Sequence, residues 1–235
     1  MLKHIPYNSL YTADHGWLKS RFHFSFAEYY NPDNINYGSL RVMNDDIIEA
    51  KTGFGTHPHR DMEIITYVIR GELTHKDSMQ NKETLSRGNV QYMSAGTGIT
   101  HSEMNDSEDE LHLIQTWILP QQNALTPKYG SKTFSLDERQ NKWLHLVGPQ
   151  ESKSHINIYQ DASMYVSEID DNKKLTFDLQ AQRQLYIKLL EGKARINGVI
   201  FEAGDAGELQ DEDLDVEAIE GTHILLVEMK KELVI

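Results

Sequence analysis

With 235 residues, 25% of them charged and 39% hydrophobic, the chain has the balance of a soluble globular protein, and a prior of about 150 residues per domain allows one large domain or two small ones. It contains no cysteine, which excludes a disulfide scaffold, a thiol nucleophile and any Cys-ligated zinc or iron–sulfur centre. Its formal charge of −13 argues against direct nucleic-acid binding, which needs a basic face to release counterions.

The chain opens on Met1-Leu2-Lys3-His4-Ile5-Pro6-Tyr7, with no apolar signal core. No later stretch approaches the ~18 apolar residues of a membrane span. A cytoplasmic protein with no membrane partner is the expectation. Short runs rich in Val, Ile, Tyr and Thr then follow one another, punctuated by Gly, Asn and Asp. In the first half they are Ile64–Ile69 before Gly71, Val90–Met93 before Gly96, and Leu111–Leu119 before Pro120. The polar stretch from Gln121 to Lys142, with Pro127 and Gly130, reads as a connection.

A second series repeats the plan: Leu185–Leu190 before Gly192, Ala194–Ile196, Val199–Phe201, and Ile224–Met229. Asn197-Gly198 between two apolar runs is a strong hairpin signal. Tyr67–Leu73 and Ile187–Lys193 each read as an apolar strand, a Gly turn and another strand. The pattern predicts an all-β protein of two domains with similar plan, 1–130 and 131–235.

Charge and histidine divide between these halves. Residues 1–135 carry a net −4 and residues 136–235 a net −9, and nine acids fall between Glu202 and Glu220 with no Lys or Arg among them. That run reads as a solvated face or a surface for a protein partner. Eight of the eleven histidines precede Leu136.

One histidine cluster carries the chemistry: Gly53-Phe54-Gly55-Thr56-His57-Pro58-His59-Arg60-Asp61-Met62-Glu63. Residues two apart on a strand share a face, so extended geometry projects His57, His59 and Glu63 the same way. Two imidazoles on one face can ligate a divalent ion. His101-Ser102-Glu103 repeats the spacing after the turn Ser94-Ala95-Gly96-Thr97-Gly98. If its strand faces the first, three His and one Glu close a mononuclear site with room for water, substrate or O2. The Gly-rich turn lacks the pattern of a phosphate loop.

The first element resembles cupin motif 1, with His57, His59, Glu63 and Gly71. The second resembles cupin motif 2 from Gly88, except that Ser94 replaces the expected Pro and two extra residues separate Gly96 from His101. In that departure it is similar to the pirin family of bicupins. Phe24–Tyr30, Leu40–Asp46 and Thr116–Pro120 are also similar to pirin segments, and the length resembles the shorter bacterial pirins. The resemblance implies two tandem β-barrel or jelly-roll cupin domains, with the metal in the N-terminal one and the C-terminal one metal-free. It implies His57, His59, His101 and Glu103 as metal ligands, with Glu63 outside the ligand set orienting a ligand imidazole.

Several pirins are quercetin 2,3-dioxygenases, so the implied activity is oxidative ring opening of a flavonol with O2 and loss of CO. Fe(II) is the first choice of metal, with Zn, Cu, Ni, Co or Mn able to use the same donors. Glu103 is the expected proton acceptor. The other implied role is a metal- and redox-responsive protein that binds a protein partner. Sugar epimerisation or isomerisation, which needs a phosphate or nucleotide clamp, ranks last: Arg41 and Arg60 form no basic cluster.

Overall fold

The β-branched and aromatic runs fold as strands throughout. The computed structural model describes residues 1–231, which hold twenty strands, two short 3-10 helices and no α-helix. Among the described residues no helix is long and apolar enough to cross a membrane. The chain folds into two compact units. One comprises Tyr11–Phe134 with Ile158–Gln160, and the other comprises Met1–Leu10, Ser135–Asn157 and Asp161–Ile235.

The first unit holds a seven-stranded sheet ordered Lys128–Lys132, Val90–Ser94, Glu63–Arg70, Leu111–Ile118, Leu40–Ile48, Leu18–Phe22 and Tyr11–Asp14. A four-stranded sheet follows the order Gly53–His59, Ile99–Met104, Leu73–Asp77 and Lys82–Leu85. Leu73 and Leu85 of the smaller sheet join Leu18, Ile48, Val68, Leu111 and Leu113 of the larger in one buried cluster. Burial of that shared apolar surface holds the sheets face to face.

The second unit centres on two long strands, Arg183–Ile196 and Leu214–Lys230, paired antiparallel. Its core gathers Leu185, Ile187, Leu189, Phe201, Leu214, Ile224 and Leu226. Asn197 and Gly198 both have positive φ (42° and 83°), as a two-residue hairpin turn requires.

A cut between residues 130 and 131 needs correction in two places. It falls inside strand Lys128–Lys132, which pairs with Val90–Ser94 and so stays with the first unit. Residues 1–10 belong to the second unit because Leu2–Ile5 pairs antiparallel with Ala206–Gln210. The acidic run also looks different in space. Glu208 pairs with Lys3, Glu202 with Lys193, Asp211 with Lys231 and Glu217 with Lys174, so lysines outside the run answer several of its charges, and Asp205 hydrogen-bonds His4.

The two glycines of the repeated plan do related work by different means. Gly71 makes the expected turn, at φ +81°, between Glu63–Arg70 and Leu73–Asp77. Gly192, at φ +83°, ends no strand: Arg183–Ile196 runs through it with register shifts around residues 189–194, the mark of a bulge. A Cβ at Gly71 would lie 2.5 Å from the Glu110 carbonyl oxygen, and one at Gly192 only 1.9 Å from that of Gly221. Gly71→Ala and Gly192→Ala are each expected to lower the unfolding free energy by more than about 1 kcal/mol. Gly130→Ala, where nothing lies within 4 Å, should stay within about 0.5 kcal/mol of the parent. Urea denaturation checks all three.

Candidate metal and substrate site

The site begins with a strand pairing. Gly53–His59 lies antiparallel to Ile99–Met104 with His101 opposite His57. Glu103 pairs with Phe54, so Gly55 and Thr56 together face Ser102 and the ladder bulges there. The alternation of a strand puts His57 and His59 on one face, and the pairing delivers His101 beside them. Ring centroids are 4.8 Å apart for His57 and His59, 4.5 Å for His57 and His101, and 4.8 Å for His59 and His101. One ligating nitrogen from each lies within 4.8 Å of the other two.

Hydrogen bonds orient these rings. The Nδ1 of His57 lies 2.8 Å from the carbonyl oxygen of Gly55. It must donate there, which leaves the Nε2 lone pair facing the cluster. His101 Nε2 stands 3.1 Å from that Nε2. Burial, followed by the neighbouring His101 and His57, lowers the His59 pKa to about 4. Burial, His57 and His75 lower that of His101 to about 3. Both rings are therefore neutral at neutral pH and offer lone pairs.

Glu103, 2% exposed, lies within the same limit of His101 and His75. Gln91 Nε2 donates to its Oε1 at 2.5 Å, as does Thr66 Oγ1 at 3.2 Å, while Gln115 Nε2 donates to its Oε2 at 2.6 Å. These donors form a cross-strand row, Gln91 opposite Thr66 and Thr66 opposite Gln115. Gln115 is itself held by Trp117 Nε1 at 3.0 Å. Neutral imidazoles with a fixed carboxylate and no thiolate form a donor set suited to a divalent first-row ion, and the lone pair that His57 turns toward His101 fits such an ion.

Glu63 departs from expectation. The strand Gly53–His59 ends before it, Asp61 turns the chain at φ +49°, and Glu63 starts a strand of the larger sheet. Its carboxylate accepts from Tyr92 Oη at 2.5 Å, Ser94 Oγ at 2.7 Å and the Tyr159 amide at 3.3 Å. It therefore ties down the segment Ile158–Gln160 instead of orienting an imidazole.

Spacing does not single out His75, yet it lies behind His101 with ring centroids 5.3 Å apart. It stacks on Tyr129 at 4.4 Å, and its Nε2 is 3.2 Å from an Asp77 carboxylate oxygen. A single His in Leu73-Thr74-His75-Lys76-Asp77 carries no motif; only pairing of that strand with Ile99–Met104 brings it to the site.

The cluster opens into a cavity of about 440 Å³, within the usual ~300–1,000 Å³ of small-molecule pockets. Trp17, Leu18, Phe22, Phe26, Phe54 and Trp117 supply apolar walls, and His57, His59 and Glu103 stand at one side. Asp46 also lines it. Burial pushes its carboxyl up to about 7, against a hydrogen bond from Ser20 and with the charges of Asp45 and Glu103 adding to the rise.

Known proteins resemble this chain in both sequence and structure. The pirin family profile matches residues 5–118, and the profile described as the quercetinase C-terminal cupin domain matches residues 145–229. The chain is 42% identical over 219 residues to a quercetin 2,3-dioxygenase of Escherichia coli K12, covering 92% of this chain and 94% of that one. It is 40% identical to a pirin-like protein of Caulobacter vibrioides over 97% of this chain and 99% of the other. In structure it is similar to YhhW of Escherichia coli, with a TM-score of 0.93 at 38% identity over 99% of both chains. The nickel(II) complex of bacterial pirin YhhW superimposes with a TM-score of 0.92 at the same identity, covering 99% of this chain and 100% of that one.

The depressed imidazoles have a measurable consequence. In metal-free protein, His59 and His101 should remain neutral at pH 6, their ring nitrogen resonances titrating near 4 and 3. The unfolded chain takes up these protons near 6.5, so each ring's contribution to stability is intact above that pH and is lost as pH falls toward its folded value. Asp46 acts in the opposite sense, its contribution being full below about 3.8 and lost as pH rises through about 7. Nuclear magnetic resonance titration of metal-free protein checks the three groups separately.

Proposed function

The chain belongs to the pirin family, and from that membership we propose that it is a metal-dependent dioxygenase that opens the ring of flavonols such as quercetin with O2 and releases CO. The observation that carries the proposal is the His57, His59 and His101 cluster opening into an aromatic-walled cavity beside Glu103. The names of similar proteins support the substrate class. In this reading His57, His59, His101 and Glu103 hold the ion, Fe(II) being the first choice and Zn, Cu, Ni, Co and Mn alternatives with the same donors. The bound ion would supply Lewis acidity that lowers the pKa of a chelating hydroxyl and activates the substrate toward O2.

The chain's own groups do the rest. Phe26, Phe54 and Trp117 offer flat apolar surface for a planar aromatic ligand. Glu103 takes the proton of the 3-hydroxyl. Gln91, Gln115 and Thr66 hold its carboxylate in one position, so the proton moves to a prepositioned oxygen.

Protein loaded with Fe(II) under argon, then given quercetin and O2, should consume both and release CO. His101→Ala should abolish turnover and metal retention together, and full activity in that variant would overturn the assignment. Gln115→Leu removes a donor to Glu103 without removing a ligand. It is expected to weaken metal affinity about 10- to 100-fold, measured by competition with a chromophoric chelator.

A further inference from the structure

The cavity wall carries a polar strip that metal ligation does not use. On strand Leu40–Ile48 the alternation sends Asn44 and Asp46 into the cavity, while Asp45 turns away to bond His112 Nε2 at 2.6 Å. Ser20 stands opposite Asp46 on the neighbouring strand and donates to one of its carboxyl oxygens. No hydrogen bond among the described residues engages the other. Asn44 lies between Phe22 and Gln115 in the cross-strand row, is 4% exposed, and its amide oxygen has no hydrogen-bond partner among the described residues.

A buried acceptor without a partner costs stability that nothing in the free protein offsets. Of its two cross-strand neighbours Phe22 is apolar and Gln115 spends its amide on Glu103 and Trp117, so neither satisfies the Asn44 oxygen. Asn44 lines the cavity, so a turn of its side chain would offer that buried oxygen to a donor that arrives with a ligand. Amide and carboxyl oxygens accept from hydroxyls, and the aromatic wall accepts a planar ring.

We propose that Asn44 and Asp46, with Ser20 holding Asp46, form a hydroxyl-recognition subsite that selects aromatic ligands bearing hydroxyl groups beyond those that chelate the metal. The subsite rests on the flavonol reading for the ligand's identity, but its chemistry is that of any planar polyphenol. A site built to hydrogen-bond a ligand hydroxyl rejects the analogue lacking it, because its own polar groups are then left unpaired.

The test compares quercetin with 3-hydroxyflavone, which shares the chelating group and lacks the additional hydroxyls. Binding is read by fluorescence titration under argon, with no turnover. The parent protein should prefer quercetin by about tenfold or more. Asn44→Leu should bring that preference to within about twofold of unity while leaving the melting temperature of ligand-free protein unchanged or higher. Asp46→Leu supplies a second variant should the first fail to fold, with the same collapse expected.

A preference that survives in both variants overturns the subsite. So does equal binding of the two ligands by the parent. Discrimination lost in the variants, together with no O2 uptake by the parent on any flavonol, keeps the subsite and retires the dioxygenase reading. O2 uptake with an unaltered quercetin preference in the variants does the reverse. A parent that binds neither ligand overturns both.

Discussion

Everything at the candidate site depends on the register in which Gly53–His59 pairs with Ile99–Met104. Because side chains alternate with period two, slipping that register by one residue would turn His101 to the opposite face from His57. The observed pairing sets His101 against His57 and then bulges, giving Gly55 and Thr56 the place opposite Ser102. Gly55 consequently supplies the carbonyl that fixes the His57 tautomer. Backbone geometry, ring orientation and lone-pair direction are thus settled by a single ladder.

Supporting that ladder means burying polar groups, and the fold does so in pairs. Glu103 is buried among strands whose inward positions would ordinarily be apolar, and an ionised carboxylate there is tolerable only with several donors. Gln91, Thr66 and Gln115 provide them from three adjacent strands of the facing sheet. Glu63 shows the same rule applied to structure alone, its acceptors filled by Tyr92, Ser94 and the Tyr159 amide. Two buried glutamates of similar exposure therefore have different surroundings, set by which sheet carries them and what faces them.

That distinction marks the boundary of what the sequence makes legible. His57, His59, His101 and Glu103 stand out because their spacing is local and period-two strands translate it directly into a shared face. The all-β character follows from runs such as Ile64–Ile69, and Asn197-Gly198 names its own turn. Glu63 is misplaced when strand geometry is extended through Asp61, where a positive φ turns the chain. His75, Gln91, Gln115, Asn44 and Asp46 are ordinary polar residues in sequence; what each of them faces depends on cross-strand register, which no local pattern carries. Pairing of Leu2–Ile5 with Ala206–Gln210 spans almost the whole chain and is equally invisible to a window of neighbours.

The charge distribution obeys the same limit in another form. Nine acids between Glu202 and Glu220 with no intervening base look like an unanswered patch when read along the chain. Folding brings Lys3, Lys193, Lys174 and Lys231 to them, from positions before and after the run. Exposed pairs of this kind contribute little stability, but they reduce the local potential that a concentration of acids would otherwise create. In the first unit Asn44, Asp46, Glu103 and Gln115 are instead buried polar side chains that line the cavity, where a low dielectric strengthens each hydrogen bond and makes each unpaired atom costly. The proposed hydroxyl subsite accordingly draws on side chains of that interior, and not on the acids that dominate the composition.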